Sequence, residues 1–145
     1  MHPIIDKFKE LLEERGIPMQ ENKLNEQQTL FGGSMQVNEE TEVPFSVIFA
    51  SEGENSDYLN FQITYHHIGY VGEGMDRADL FDKFNHWHRN MTGYYRLTVI
   101  EEMDNEITLQ AMGLVGEDLD VLYAIMITGG RVVQNLVKEI NELAE

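Results

Sequence analysis

Apolar residues open the chain at Ile4, Ile5, Phe8, Leu11 and Leu12, with Asp6, Lys7, Lys9, Glu10, Glu13 and Glu14 between them. That spacing puts the apolar side chains on one side of a 3.6-residue repeat and predicts an amphipathic helix. Pro3 fits its first turn, where no amide donor is needed, and Gly16 followed by Pro18 supplies the stop. A second helix is predicted after Gly72 and Gly74, with Asp76 as N-cap, Leu80, Phe84, Trp87 and Met91 on its apolar side, and Gly93 at its end.

Between these helices the period changes to two. Phe31, Met35 and Val37 share one parity, Val43, Phe45, Val47 and Phe49 form a second run, and Leu59, Phe61, Ile63 and Tyr65 a third. Short polar connections between the runs suit an antiparallel meander. Beyond the second helix, Tyr95, Leu97 and Val99 alternate, as do Ile107, Leu109 and Ala111, with Asp104 and Asn105 at the turn of a hairpin.

The last helix is predicted to begin near Glu117 or Asp118. Leu119, Leu122, Met126, Gly129, Val133, Leu136, Ile140 and Leu143 form its packed seam. Val121, Ile125 and Val132 form a second apolar stripe, which calls for cover either by another part of the same chain, such as the first helix, or by another subunit, with Gly129 and Gly130 in the second case allowing another backbone to approach. The expectation is a homodimer. The whole chain, 1–145, then reads as one α+β domain: a single antiparallel five-stranded sheet packed with three helices, in the order α-βββ-α-ββ-α.

Composition narrows the roles open to such a domain. Ten Lys and Arg stand against 26 Asp and Glu, a formal charge of −16, which repels phosphate backbones and anionic lipid surfaces. Neither a nucleic-acid partner nor a membrane is expected. With no cysteine, disulfides, thiolate metal sites and cysteine nucleophiles are excluded, and a cytoplasmic location is favoured. The N-terminal segment has the charges of a surface helix and lacks the uncharged core of a secretory signal.

Candidate chemistry is sparse. His66-His67 and His86-Trp87-His88 invite a metal, yet neighbours on a strand point to opposite faces and residues two apart on a helix diverge, so neither pair chelates through both members. Gly69, Gly72 and Gly74 match no phosphate-loop spacing, and Glu73 would oppose a phosphate. Ser34, Ser46, Ser51 and Ser56 lie in no nucleophile-elbow context, and the acidic run from Glu52 to Asp57 lacks EF-hand spacing. No catalytic residue, metal or cofactor is expected. The more informative surface is the sheet's other face, which by alternation presents Leu30, Ile48, Ile68, Ile100 and Met112 among amides and threonines, a composition suited to protein contact.

From Leu80 to Leu143, beginning LFDKFNHWHRNMTGYYRLTV, a helix carrying Asn85 leads into a hairpin and then a long final helix. In this stretch and in its element order the chain resembles the YbjN-like proteins, whose fold is shared with bacterial type III secretion chaperones. The resemblance implies a small acidic bacterial protein, often dimeric, without known catalytic residues; chaperone members hold a segment of a client and YbjN-like members are regulatory. The expected function is therefore a non-catalytic protein-binding domain, chaperone-like or a regulatory adaptor. The competing expectation is a small-ligand binder or enzyme with a pocket between sheet and helices.

Overall fold

Six strands, not five, make the sheet in the computed structural model, which describes residues 2–51 and 57–144. In chain order the elements are α1 (Pro3–Arg15), β1 (Gln20–Lys23), β2 (Gln28–Gln36), β3 (Glu42–Ala50), β4 (Leu59–Tyr70), α2 (Arg77–Asn90), β5 (Arg96–Ile100), β6 (Glu106–Val115) and α3 (Asp120–Ala144). All neighbours in the spatial order β1-β2-β3-β4-β6-β5 are antiparallel. The added strand is β1. Its four residues, Gln-Glu-Asn-Lys, are all exposed, so no apolar alternation announces it; pairing of Glu21 with Phe31 and a 2.9 Å ion pair between Lys9 and Glu21 position it instead.

The ends of the helices follow their local chemistry. His2 caps α1 by accepting the Ile4 N–H at its Nδ1, and Gly16 closes it in the left-handed region at φ 65°. Asp76 caps α2, taking the N–H groups of Ala78 and Asp79 at one carboxylate oxygen. That helix ends at Met91, two residues before Gly93. Helix α3 starts at Asp120, whose N–H bonds the Asp118 side chain. In the hairpin, Asp104 and Asn105 both take φ 59°, after a short 3₁₀ turn over Glu101–Met103.

Aromatic side chains dock the helices on the sheet. Phe8 of α1 meets Phe31 and Phe49 edge-on, each at 4.9 Å between centroids. Tyr65 of β4 and Tyr95, just ahead of β5, donate their hydroxyls to consecutive carbonyls of α3, at Met126 (2.8 Å) and Ile125 (2.7 Å). Both phenols lie against Gly129: a β-carbon there would sit 2.7 Å from the Tyr65 ring and 2.6 Å from Tyr95 Cζ. The glycine thus admits two tyrosines of its own chain, rather than the second backbone expected from the sequence. Burial pushes both phenols' pKa well above the ordinary tyrosine value, so they remain donors throughout the physiological range.

The second stripe of α3 needs correction as well. Ile125 and Val132 are buried within the chain, and Gly130 approaches Met35; only Val121, 65% exposed, is left without cover. The seam residues from Leu119 to Ile140 are buried, while Leu143 is exposed. Among the described residues, no helix is long and apolar enough to cross a membrane.

Candidate functional site

The strand registers place one row of side chains straight across the sheet. Leu30 pairs with Ile48, Ile48 with Gln62, and Gln62 with Met112, on β2, β3, β4 and β6. The adjacent row runs Gln28, Ala50, Asn60 and Leu114. Partners in register share a face, so these rows form the floor of a shallow cavity lined by Ile48, Ala50, Asn60, Gln62, Met112 and Leu114.

Four of the five side chains expected on this face are accessible there: Leu30, Ile48 and Ile100 are half-buried and Met112 is exposed. Ile68 is not, being 2% exposed. Strict alternation fails at its position because the register jumps between Tyr65 and Gly69, with three β4 residues opposite the single Thr108 of β6. Leu114, as exposed as Met112, belongs to the same patch and was missed. The signal was available: continuing the alternation Gln110, Met112 by two residues reaches it.

Strand β5 pairs with β6 only from Glu106 to Gln110. Among the described residues, Ala111 to Val115 therefore have β4 on one side and no strand on the other. A second shallow cavity borders this open edge, where Met112, Leu114, Tyr94 and Val121 meet, with Asp118 as the charged residue in its lining. An unpaired strand edge beside exposed apolar side chains can accept an extended chain, the ladder binding its backbone and the apolar groups its side chains.

The histidines assemble differently from a metal site. The β4 irregularity centres on His67, a non-glycine residue at φ 57°, and it is held by Glu106, fully buried on β6. Glu106 Oε1 accepts the His67 backbone N–H and lies 3.1 Å from His67 Nδ1 and 3.9 Å from His66 Nδ1; its Oε2 is buried without a hydrogen-bond partner among the described residues. Tyr70 OH lies 2.7 Å from the same His67 nitrogen, and Ser46 Oγ lies 3.4 Å from His66 Nε2. Burial lowers the pKa of His66, against the opposing pull of Glu106. The arrangement fixes a strained turn of backbone with a carboxylate, an imidazole and a phenol.

The other two histidines are engaged on α2. His86 bonds Asn90, and His88 Nε2 accepts the Leu97 N–H at 2.8 Å, so α2 meets the outer side of β5. Among the described residues, no group of three or more His, Asp and Glu side chains is placed to hold a metal ion. Gly72 and Gly74 lie in the exposed turn before α2, whereas Gly69 is within β4. The acidic residues 52–56, and Ser56 with them, lie outside the described residues. No family model matches the chain, and no curated protein sequence matches it.

Proposed function

We propose that this chain is a non-catalytic protein-binding domain, chaperone-like or adaptor-like, which takes an extended segment of its partner along the open edge of β6. The observation that carries this reading is the pairing of an unpartnered strand edge, Ala111 to Val115, with the exposed side chains of Met112 and Leu114. Methionine suits such a surface because its unbranched, polarisable side chain adapts to different apolar partners. The net charge of −16 favours a neutral or basic segment and opposes self-pairing of two identical chains. The resemblance of Leu80–Leu143 to the YbjN-like proteins, and through them to secretion chaperones, agrees with a role in holding other chains.

A photo-crosslinking residue placed at Leu114, with a second variant carrying it at exposed Glu14 on α1 as reference, tests the reading in the native host. A discrete protein adduct at 114 that is missing at 14, and that disappears when Met112 is changed to Asp, is the expected result. Identical adducts at both positions, or none at 114, would refute it.

A further inference from the structure

A different cleft, of about 370 Å³, opens between the C-terminal end of α1, strands β2 and β3, and the middle of α3. Met35, Phe45 and Ile127 contribute apolar walls, Gly130 part of the floor, and Gln134 and Arg131 the polar end. Its size falls in the range of small-molecule sites, which are typically apolar with a few convergent polar groups.

Arg131 gives the cleft its chemistry. Acidic residues outnumber basic ones 26 to 10, yet among the described residues Arg131 makes no ion pair. Ser34, also in the lining, donates its hydroxyl to Glu42. A guanidinium beside apolar walls suits a planar anion, because it offers two parallel donors to a carboxylate. Gly130 keeps the space clear. A β-carbon at that position would already touch the Met35 thioether at 3.4 Å, so any longer side chain would project into the cleft.

We infer that this cleft binds a small monocarboxylate with an apolar body, the carboxylate on Arg131 beside the Gln134 amide and the body against Met35, Phe45 and Ile127. The site is separate from the β6 edge and does not depend on the protein-binding role.

Titration of the ¹⁵N-labelled full chain with decanoate and, separately, with decanol, both below their aggregation limits, tests the assignment. Decanoate is expected to give saturable shifts confined to α3 around Ile127 to Gln134 and to the neighbourhoods of Met35 and Phe45, and to bind more tightly than decanol. Arg131→Gln is expected to weaken decanoate by about tenfold or more, the scale of one charged hydrogen bond, and to leave decanol unchanged. Gly130→Leu is expected to weaken both ligands while the rest of the spectrum stays folded. Equal affinity for decanoate and decanol, an Arg131→Gln variant that binds decanoate like the parent, absence of saturable binding at millimolar concentration, or shifts centred on Met112 and Leu114 would each overturn the inference.

Discussion

The phenol of Tyr95 occupies the space in which a β-carbon on Gly129 would sit, and its hydroxyl bonds the carbonyl of Ile125 one helical turn earlier. Gly130, its neighbour in sequence, meets only the flexible end of Met35. The two adjacent glycines should therefore respond to alanine with opposite signs. Gly129→Ala forces two buried rings apart and is expected to cost about 1–3 kcal/mol despite the better helix propensity of alanine. Gly130→Ala is expected to stabilise by up to about 1 kcal/mol. Urea unfolding of both variants, read as midpoint shifts at constant slope, gives the answer.

His88 should make stability depend on pH. Its pKa is lowered, first by burial and then by Arg96, so the folded state binds this proton less readily than the unfolded chain. The contribution is then present above the ordinary histidine value, about 6.5, and lost as pH falls through the lower folded value. His66 shifts in the same direction. Melting temperatures between pH 7.5 and 5.5 should fall in the parent and fall less in His88→Ala. At pH 7.5 that variant should be less stable by about 0.5–1.5 kcal/mol, the worth of the bond from the Leu97 N–H.

Glu106 should matter through the oxygen that holds the His67 backbone. Glu106→Ala leaves that N–H without its acceptor and is expected to cost about 1–3 kcal/mol. Glu106→Gln keeps an acceptor oxygen and removes a carboxylate from a fully buried position, so it should cost clearly less. Equal losses, measured by denaturant unfolding, would mean that the carboxylate does not hold the turn.

Two isoleucine and valine positions on α3 should separate burial from surface. Ile125 is 7% exposed, and a glutamate there should unfold the chain, since an unpaired buried charge costs several kcal/mol against a total of about 5–15. Val121→Glu should leave the fold intact by circular dichroism. Sedimentation of that variant beside the parent then reports whether Val121 contributes to self-association.

The helices and five of the strands could be read from the sequence because apolar spacing decides them: Leu80, Phe84 and Trp87 on α2, or Phe45, Val47 and Phe49 on β3, are buried as their periods require. Strand β1 carries no such signal, since an edge strand held by backbone pairing and an ion pair needs no apolar side chain. The misplacement of Ile68 has a related cause. Extra residues at His67 reset the alternation, and the buried carboxylate of Glu106 that holds this turn lies some forty positions away in sequence. The stripe on α3 looked spare because Tyr65 and Tyr95, which reach Met126 and Ile125, are distant in sequence from the helix they support. The open edge of β6 was illegible for a simpler reason, as it depends on β5 being shorter than its partner.

The polar strand β1 also bears on how the protein behaves at high concentration. Without it, β2 would form the border of the sheet and offer the backbone of Thr29 to Gly32 to any passing chain in extended form. With it, Thr29 to Gly32 are covered by a four-residue strand that carries Glu21 and Lys23 and is a poor template for stacking copies into fibrils. A segment without one apolar side chain thus protects the most aggregation-prone half of the meander, and its loss would be felt first as insolubility.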